Sequence, residues 1–432
     1  MRPLSTDHTF HFELLRVLSA TRGAGGDVAE VLDAAERIEP GDFESWYRVF
    51  NRLADHVEAG VKTETVRRYP VSARNALFRA ASYYRAADFF LHGNAEDPRI
   101  TETWDHATAC FNQAIALLPI PGQRVDLAAD GFTVPAIFYR AAADDRPRPT
   151  LLLCNGYDGS QEEMLHVIGF AALERGFHVL TFEGPGQPTV RRAQNLGFIN
   201  EWERVVTPVL DYCQQQPAVD MRQVSLLGYS FGGFLAPRAA AFEHRLAAVM
   251  CVDGLFDAHQ AFVGQLPPAL QQLLATGDAD RFNQIVTATL PRDTGFRWGV
   301  EQGCWSFRAA TPYDFLTQVR PMTLKDVAAQ ITCPVLVCEA EDDHFFAGQP
   351  EALVAALGPR ATYRPLTAAD AAAAHCHVGA SDYANGVILD WLEDVLRAEA
   401  TGPTPNAKAS PLGNAPAYHE PVRAQSPVAA SF

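Results

Sequence analysis

The stretch Val224-Ser225-Leu226-Leu227-Gly228-Tyr229-Ser230-Phe231-Gly232-Gly233-Phe234-Leu235-Ala236-Pro237-Arg238-Ala239-Ala240 changes character in its middle. Val224 to Leu227 is a short apolar run stopped by glycine, which reads as a buried strand, and FLAPRAAAF reads as a helix. Between them lies Gly-x-Ser-x-Gly, a turn sharp enough to lift the Ser230 hydroxyl off the end of a sheet, with small residues at 228 and 232 allowing backbone to approach closely. A bare Gly-x-Ser-x-Gly arises by chance in roughly one chain of this length in seven. The strand before it and the helix after it are what point to Ser230 as a nucleophile.

Outward from that turn, apolar runs alternate with helical ones: TLLLCN (150–155), a helix near 162–175, HVLTFE (178–183), a helix near 201–216, then AAVMCVD (247–253) and PVLVCEA (334–340). This alternation predicts an α/β architecture, a mostly parallel sheet covered by helices on both faces. RVDLAADGFTVPAIFYRA (124–141) reads as two strands about an Asp130-Gly131 turn. The expected units are an all-helical 1–120, a catalytic 121–398 and a disordered 399–432, which is rich in Pro, Ala and Ser without periodicity. Within the second, about 256–331 reads as a helical lid insertion carrying Phe262, Phe296, Trp298, Trp305 and Phe307; Trp298 and Trp305 are expected to touch substrate, the alternative being a small local core. The Gly-rich 22–26 lacks a preceding strand and a following Gly-Lys-Ser/Thr, so it reads as a helix-to-helix connection.

A serine hydroxyl is a poor nucleophile at neutral pH and needs an imidazole to take its proton, and the imidazole needs a carboxylate to hold its tautomer. Between the last strand, ATYRPLTA (361–368), and the last helix stand His375 and His377; His375 lies nearer the strand end. PVLVCEA runs into Glu341-Asp342-Asp343, of which Asp343 is chosen because the reverse turn should swing it inward; Asp342 stays open, as does Asp253 at the end of AAVMCVD. Two backbone N–H groups must receive an oxyanion, and Phe231, after the nucleophile, and Tyr157, in the loop after TLLLCN, are the expected donors. HVLTFE delivers Glu183 to the same edge, as a substrate-binding group or a turn acid.

The formal charge of −16 over 432 residues argues against a nucleic-acid partner. No run is long enough to span a bilayer and the N-terminus has no secretory apolar core, so a cytoplasmic protein without membrane attachment is expected. The eight cysteines show no CxxC, and His375-Cys376-His377 without a distant partner motif is not a metal signature, so neither metal nor cofactor is expected.

With these motifs in place, the chain resembles a branch of the α/β-hydrolases, that of pseudooxynicotine hydrolase and the fungal polyketide-shortening and fusarin-pathway hydrolases. The resemblance spans about residues 40–397 and rests on the helical N-terminal unit, NGYDGSQEE (155–163), FEGPGQPTVRR (182–192), GYSFGG (228–233), CEAEDDHFFAGQP (338–350) and HCHVGA (375–380). It implies an N-terminal helical cap, a triad of Ser230, Asp343 and His375, a small-molecule substrate of medium size, aromatic or polyketide-like, and a homodimer. It implies hydrolysis beside a ketone or acyl carbonyl and leaves the bond undecided; of the readings open, C–C cleavage is slightly preferred to the ester, amide or acyl-transfer alternatives. A non-enzymatic receptor on the same fold is the reading that an intact Ser, His and acid set disfavours.

Overall fold

The computed structural model describes residues 3–401, with side chains to 398; the remainder of the stretch expected to be a tail, 402–432, lies outside the described residues. Eight strands form one sheet: β1 (Gln123–Ala129), β2 (Phe132–Tyr139), β3 (Arg148–Cys154), β4 (His178–Phe182), β5 (Val219–Tyr229), β6 (Ala248–Val252), β7 (Val335–Ala340) and β8 (Ala361–Leu366). Their order is β1-β2-β4-β3-β5-β6-β7-β8. β1, β2 and β4 pair antiparallel in turn, and all pairs from β4 through β3 to β8 are parallel. The Asp130-Gly131 turn joins β1 to β2 as expected, with Gly131 at φ +87°.

Side chains alternate faces along a strand, and both faces of this sheet are covered. On one, Leu151, Leu153, Val179 and Met250 pack with the helices around Met164–Ala172 and Ile388–Leu396 and with the N-terminal helices; on the other, Leu152, Cys154, Leu180 and Val249 pack with Trp202–Cys213 and Phe234–Ala241. That two-sided burial is why these strands read as continuous apolar runs instead of alternating ones.

The N-terminal region is helical: His8–Ser19, Val28–Arg37, Phe43–Ala59, Thr63–Arg68, Pro70–Asp88 and Arg99–Ala116. Asp7, Asp27 and Asp42 cap the first three through their carboxylates. The Gly-rich 22–26 segment links the first two, and its Ala24 adopts φ +61°. Between β6 and β7 five helices are inserted, Ala258–Gly264, Pro268–Thr276, Ala279–Thr289, Thr294–Ser306 and Pro312–Val319. The helix Pro188–Gln194, which periodicity did not announce, is only seven residues long and starts on proline after the Gly184–Gln187 turn.

Candidate active site

Ser230 sits between β5 and the helix Gly232–Ala240 at φ +59°, a left-handed conformation that costs energy for any residue with a Cβ and persists only where the surroundings hold it. A Cβ on Gly228 would collide with the Gly232 carbonyl, and one on Gly232 would stand 2.7 Å from the Cys154 carbonyl oxygen. The close approach expected at both positions is therefore what the turn requires.

Ser230 Oγ lies 2.9 Å from His375 Nε2, and His375 Nδ1 lies 2.7 Å from Asp343 Oδ2. The other oxygen of Asp343 accepts the N–H groups of Phe345 and Phe346 at 2.8 and 3.3 Å, which fixes the carboxylate in the turn after β7. Asp342 is exposed beside it, whereas Asp343 is buried. Asp253 also comes close: its Oδ2 stands 3.3 Å from His375 Nδ1 and accepts the Cys376 N–H at 2.8 Å, while Oδ1 lies 3.2 Å from His377 Nε2. Burial alone would favour a neutral imidazole, but the adjacent Cys376 and the carboxylates of Asp343 and Asp253 overcome it and hold His375 well above its ordinary range. Burial would raise Asp343 in turn, and the imidazole with the Phe345 N–H brings it down to about 2. His377 is buried with Nδ1 on the Ala372 carbonyl at 2.8 Å, so of the two histidines His375 is the one that meets the serine.

These groups open into a cavity of about 420 Å³ whose walls are chiefly apolar, with Phe12, Phe262, Phe296, Trp298 and Phe345 among them. Tyr157 and Phe231 line it beside Ser230. A Cβ on Gly156 would stand 2.7 Å from the Phe231 nitrogen, so the loop after β3 lies directly against the serine turn. Tyr157 donates its own hydroxyl to the Gly299 carbonyl at 2.8 Å, leaving the backbone as what it can offer at the serine.

Two expected substrate contacts fall elsewhere. Glu183 is fully buried and away from the cavity walls; its two oxygens accept the N–H groups of Gln161 and Thr189 at 2.8 and 2.6 Å, tying together the first turns of two helices. Trp305 is buried against the His92 ring at 3.9 Å between centroids and under the guanidinium of Arg192, outside the cavity. What the sequence did not single out is the contribution of the first helix, which brings Glu13 and Arg16 to the cavity together with Asp158. Arg16 donates to Glu163 at 2.6 and 2.7 Å and to both oxygens of Asp158 at 3.2 Å. Burial raises Glu13 to about 7 in spite of Arg16 and Arg85. The amphipathic pattern of 8–19 shows only that one face is covered; a Glu and an Arg three residues apart look like an ordinary solvated pair. Cys376, considered in the sequence only as a metal ligand, stands with its Sγ 3.3 Å from His375 Nε2, and burial pushes the thiol up to about 11.

Comparison with known proteins agrees with this geometry. A model of the alpha/beta hydrolase family matches residues 151–387. Hydrolase acrC of Aspergillus aculeatus is 30% identical over 364 residues, covering 78% of this chain and 83% of the relative. The 20-hydroxy-prefusarin hydrolase of Gibberella moniliformis is 31% identical over 348 residues, with the same coverage of 78% and 83%. The crystal structure of 2,6-dihydroxy-pseudo-oxynicotine hydrolase superposes with a TM-score of 0.70 at 21% identity, over 88% of this chain and 95% of that one, and so shares the fold. With strand order, serine turn and relatives in agreement, the chain is a hydrolase and belongs to the alpha/beta hydrolase family.

Proposed function

We propose that this chain is a serine hydrolase that attacks a carbonyl of a medium-sized aromatic or polyketide-like substrate, with hydrolysis of a C–C bond next to a ketone preferred. The observation that carries the reading is the unbroken chain Ser230 Oγ to His375 Nε2 at 2.9 Å and His375 Nδ1 to Asp343 at 2.7 Å, beside a chiefly apolar cavity. As Ser230 Oγ bonds to the carbonyl carbon, its proton passes to His375, and the N–H groups of Phe231 and Tyr157 receive the negative oxygen. Collapse breaks the bond to the leaving group, which takes the proton from His375. A ketone-stabilised carbanion is protonated on carbon, an alkoxide or amine on its heteroatom. Water, deprotonated by His375, then splits the acyl-serine and restores the enzyme. Trp298 is the aromatic that meets the substrate in this scheme. The 20-hydroxy-prefusarin hydrolase among its relatives supports a substrate of that kind.

A second reading, carboxylesterase, amidase or acyltransferase, is favoured by one feature. The groups best suited to assist protonation at carbon are otherwise engaged, Tyr157 Oη on Gly299 and Glu183 on two helix N–H groups. Mass-spectrometric product analysis on β-diketones, aryl esters and anilides separates the two. Acid plus ketone from a diketone, lost about 10⁴-fold or more in Ser230→Ala, is the expected result. Turnover of esters or anilides alone overturns C–C hydrolysis in favour of the second reading, and a reactive phosphonate that leaves Ser230 unmodified overturns both.

A further inference from the structure

The loop Asn155–Tyr157 carries the second oxyanion donor in the reading above, and two fully or almost fully buried glutamines hold its three consecutive carbonyls. Gln187, in the Gly184–Gln187 turn, accepts the Gly184 N–H at 2.9 Å and donates Nε2 to the Asn155 carbonyl at 2.7 Å and to that of Gly156 at 3.4 Å. Within a planar trans peptide the C=O and the following N–H point in opposite directions. Drawing the Gly156 carbonyl toward Gln187 therefore turns the Tyr157 N–H away from Gln187.

From the other side comes Gln302, on the inserted helix Thr294–Ser306. Its Nε2 donates to the Tyr157 carbonyl at 3.0 Å, and one turn earlier Gly299 accepts the Tyr157 hydroxyl at 2.8 Å, so a single helix holds this residue by its backbone and its ring. A carbonyl only accepts, so Gln302 must face it with its NH2 group, which leaves Oε1 for His92 Nδ1 at 2.6 Å and places the His92 proton on Nδ1. His92 Nε2 then accepts from Arg192 Nη2 at 3.2 Å, and Arg192 is anchored on Asp88 at 2.6 Å. The chain of donors thus starts at Arg192, anchored on Asp88 of the N-terminal helices, runs through His92 to the inserted helix and ends at Tyr157. None of Gln187, Gln302, His92 or Arg192 lines the cavity.

We propose that Gln187 and Gln302 are positioning residues that aim the Tyr157 N–H at the developing oxyanion, Gln302 making that aim depend on the seating of the helix Thr294–Ser306 against the N-terminal helices. The inference rests on the serine-hydrolase reading. An oxyanion donor acts on the transition state and not on the bound substrate, so the variants Gln302→Met and Gln187→Met have a distinct signature. With 4-nitrophenyl butyrate, kcat falls about 10- to 100-fold while KM stays within about twofold, the loss being at or below that of deleting a donor outright. The affinity for a trifluoromethyl ketone, which forms the tetrahedral adduct on Ser230, falls by the same factor as kcat/KM. His92→Phe, which keeps an aromatic ring against Trp305 and removes the donor to Gln302 together with the contact to Arg192, gives a smaller loss of the same kind. A raised KM at unchanged kcat, or an unchanged ketone affinity in folded variants, overturns the proposal. Complete phosphonate labelling of Ser230 in the variants shows that the serine reading stands when the positioning one fails; absence of labelling in the wild type defeats both. Should one variant not fold, the other tests the same loop from its opposite side.

Discussion

His375 has two carboxylates within reach of one nitrogen, and their surroundings divide their work. Asp343 makes the shorter contact and is oriented by two backbone N–H groups, whereas Asp253 is held by the Cys376 N–H and shared with His377. Asp343→Asn removes the group that keeps the imidazole in its working tautomer, and kcat is expected to drop about 10³- to 10⁴-fold. Asp253→Asn leaves that contact in place and removes only part of the negative field. Its expected effect is a smaller loss of rate and a shift of the acid limb of the kcat/KM profile to lower pH, because Asp253 is among the groups that raise His375 and the base works when neutral. Equal losses in the two variants, or an acid limb that does not move, would contradict this division. At this scale the sequence supplied the serine and three acids in competition; distance and backbone donors distinguish them.

Trp298 and Trp305 belong to one helix and stand seven residues apart, two turns and about 10 Å along the axis on nearly the same stripe. Periodicity therefore treats them alike, yet the first faces the cavity and the second stacks on His92 beneath Arg192. Trp298→Ala is expected to raise KM for aromatic substrates by about tenfold or more with little change in stability, while Trp305→Ala costs about 3 kcal/mol or more in denaturant unfolding through the cavity it leaves. Kinetics and urea titration of the two variants side by side check the contrast, and the same phenotype in both would refute it. The first helix shows the same limit. It lies before the stretch that carries the family resemblance, and only its docking brings Phe12, Glu13 and Arg16 to the cavity.

For the whole molecule, buried charge sets how stability follows pH. Burial raises Glu13 and Glu183 to about 7, the second helped by Glu162, far above the roughly 4 of an unfolded carboxylate. The native state therefore binds protons between pH 8 and 6 that the unfolded chain does not, and stability rises as pH falls through that range. Opposing it, burial lowers His178 to about 4, so its protonation on unfolding weakens the fold below about 6.5. Asp88, Glu163 and Asp343 are all near 2, burial being outweighed by Arg192, by Arg16 and Arg85, and by His375; their stabilisation is lost as pH falls below about 4 toward 2. The thermal midpoint is expected to peak near pH 6, and Glu13→Gln to flatten the slope between 8 and 6. A midpoint highest at pH 8, or a slope unchanged in the variant, would count against this. The sequence by itself determined the alternation of strands and helices, the helical first unit and the turn around Ser230, because backbone periodicity and a strand-turn-helix junction are properties of contiguous residues. Only the tertiary structure decided that Asp343 sits closest to His375 while Asp253 shares it, that Glu183 ties two helices while Glu13 faces the cavity, and that Gln187 and Gln302 grip one loop. Those outcomes depend on where side chains from segments tens to hundreds of residues apart end after packing, and no local pattern records it.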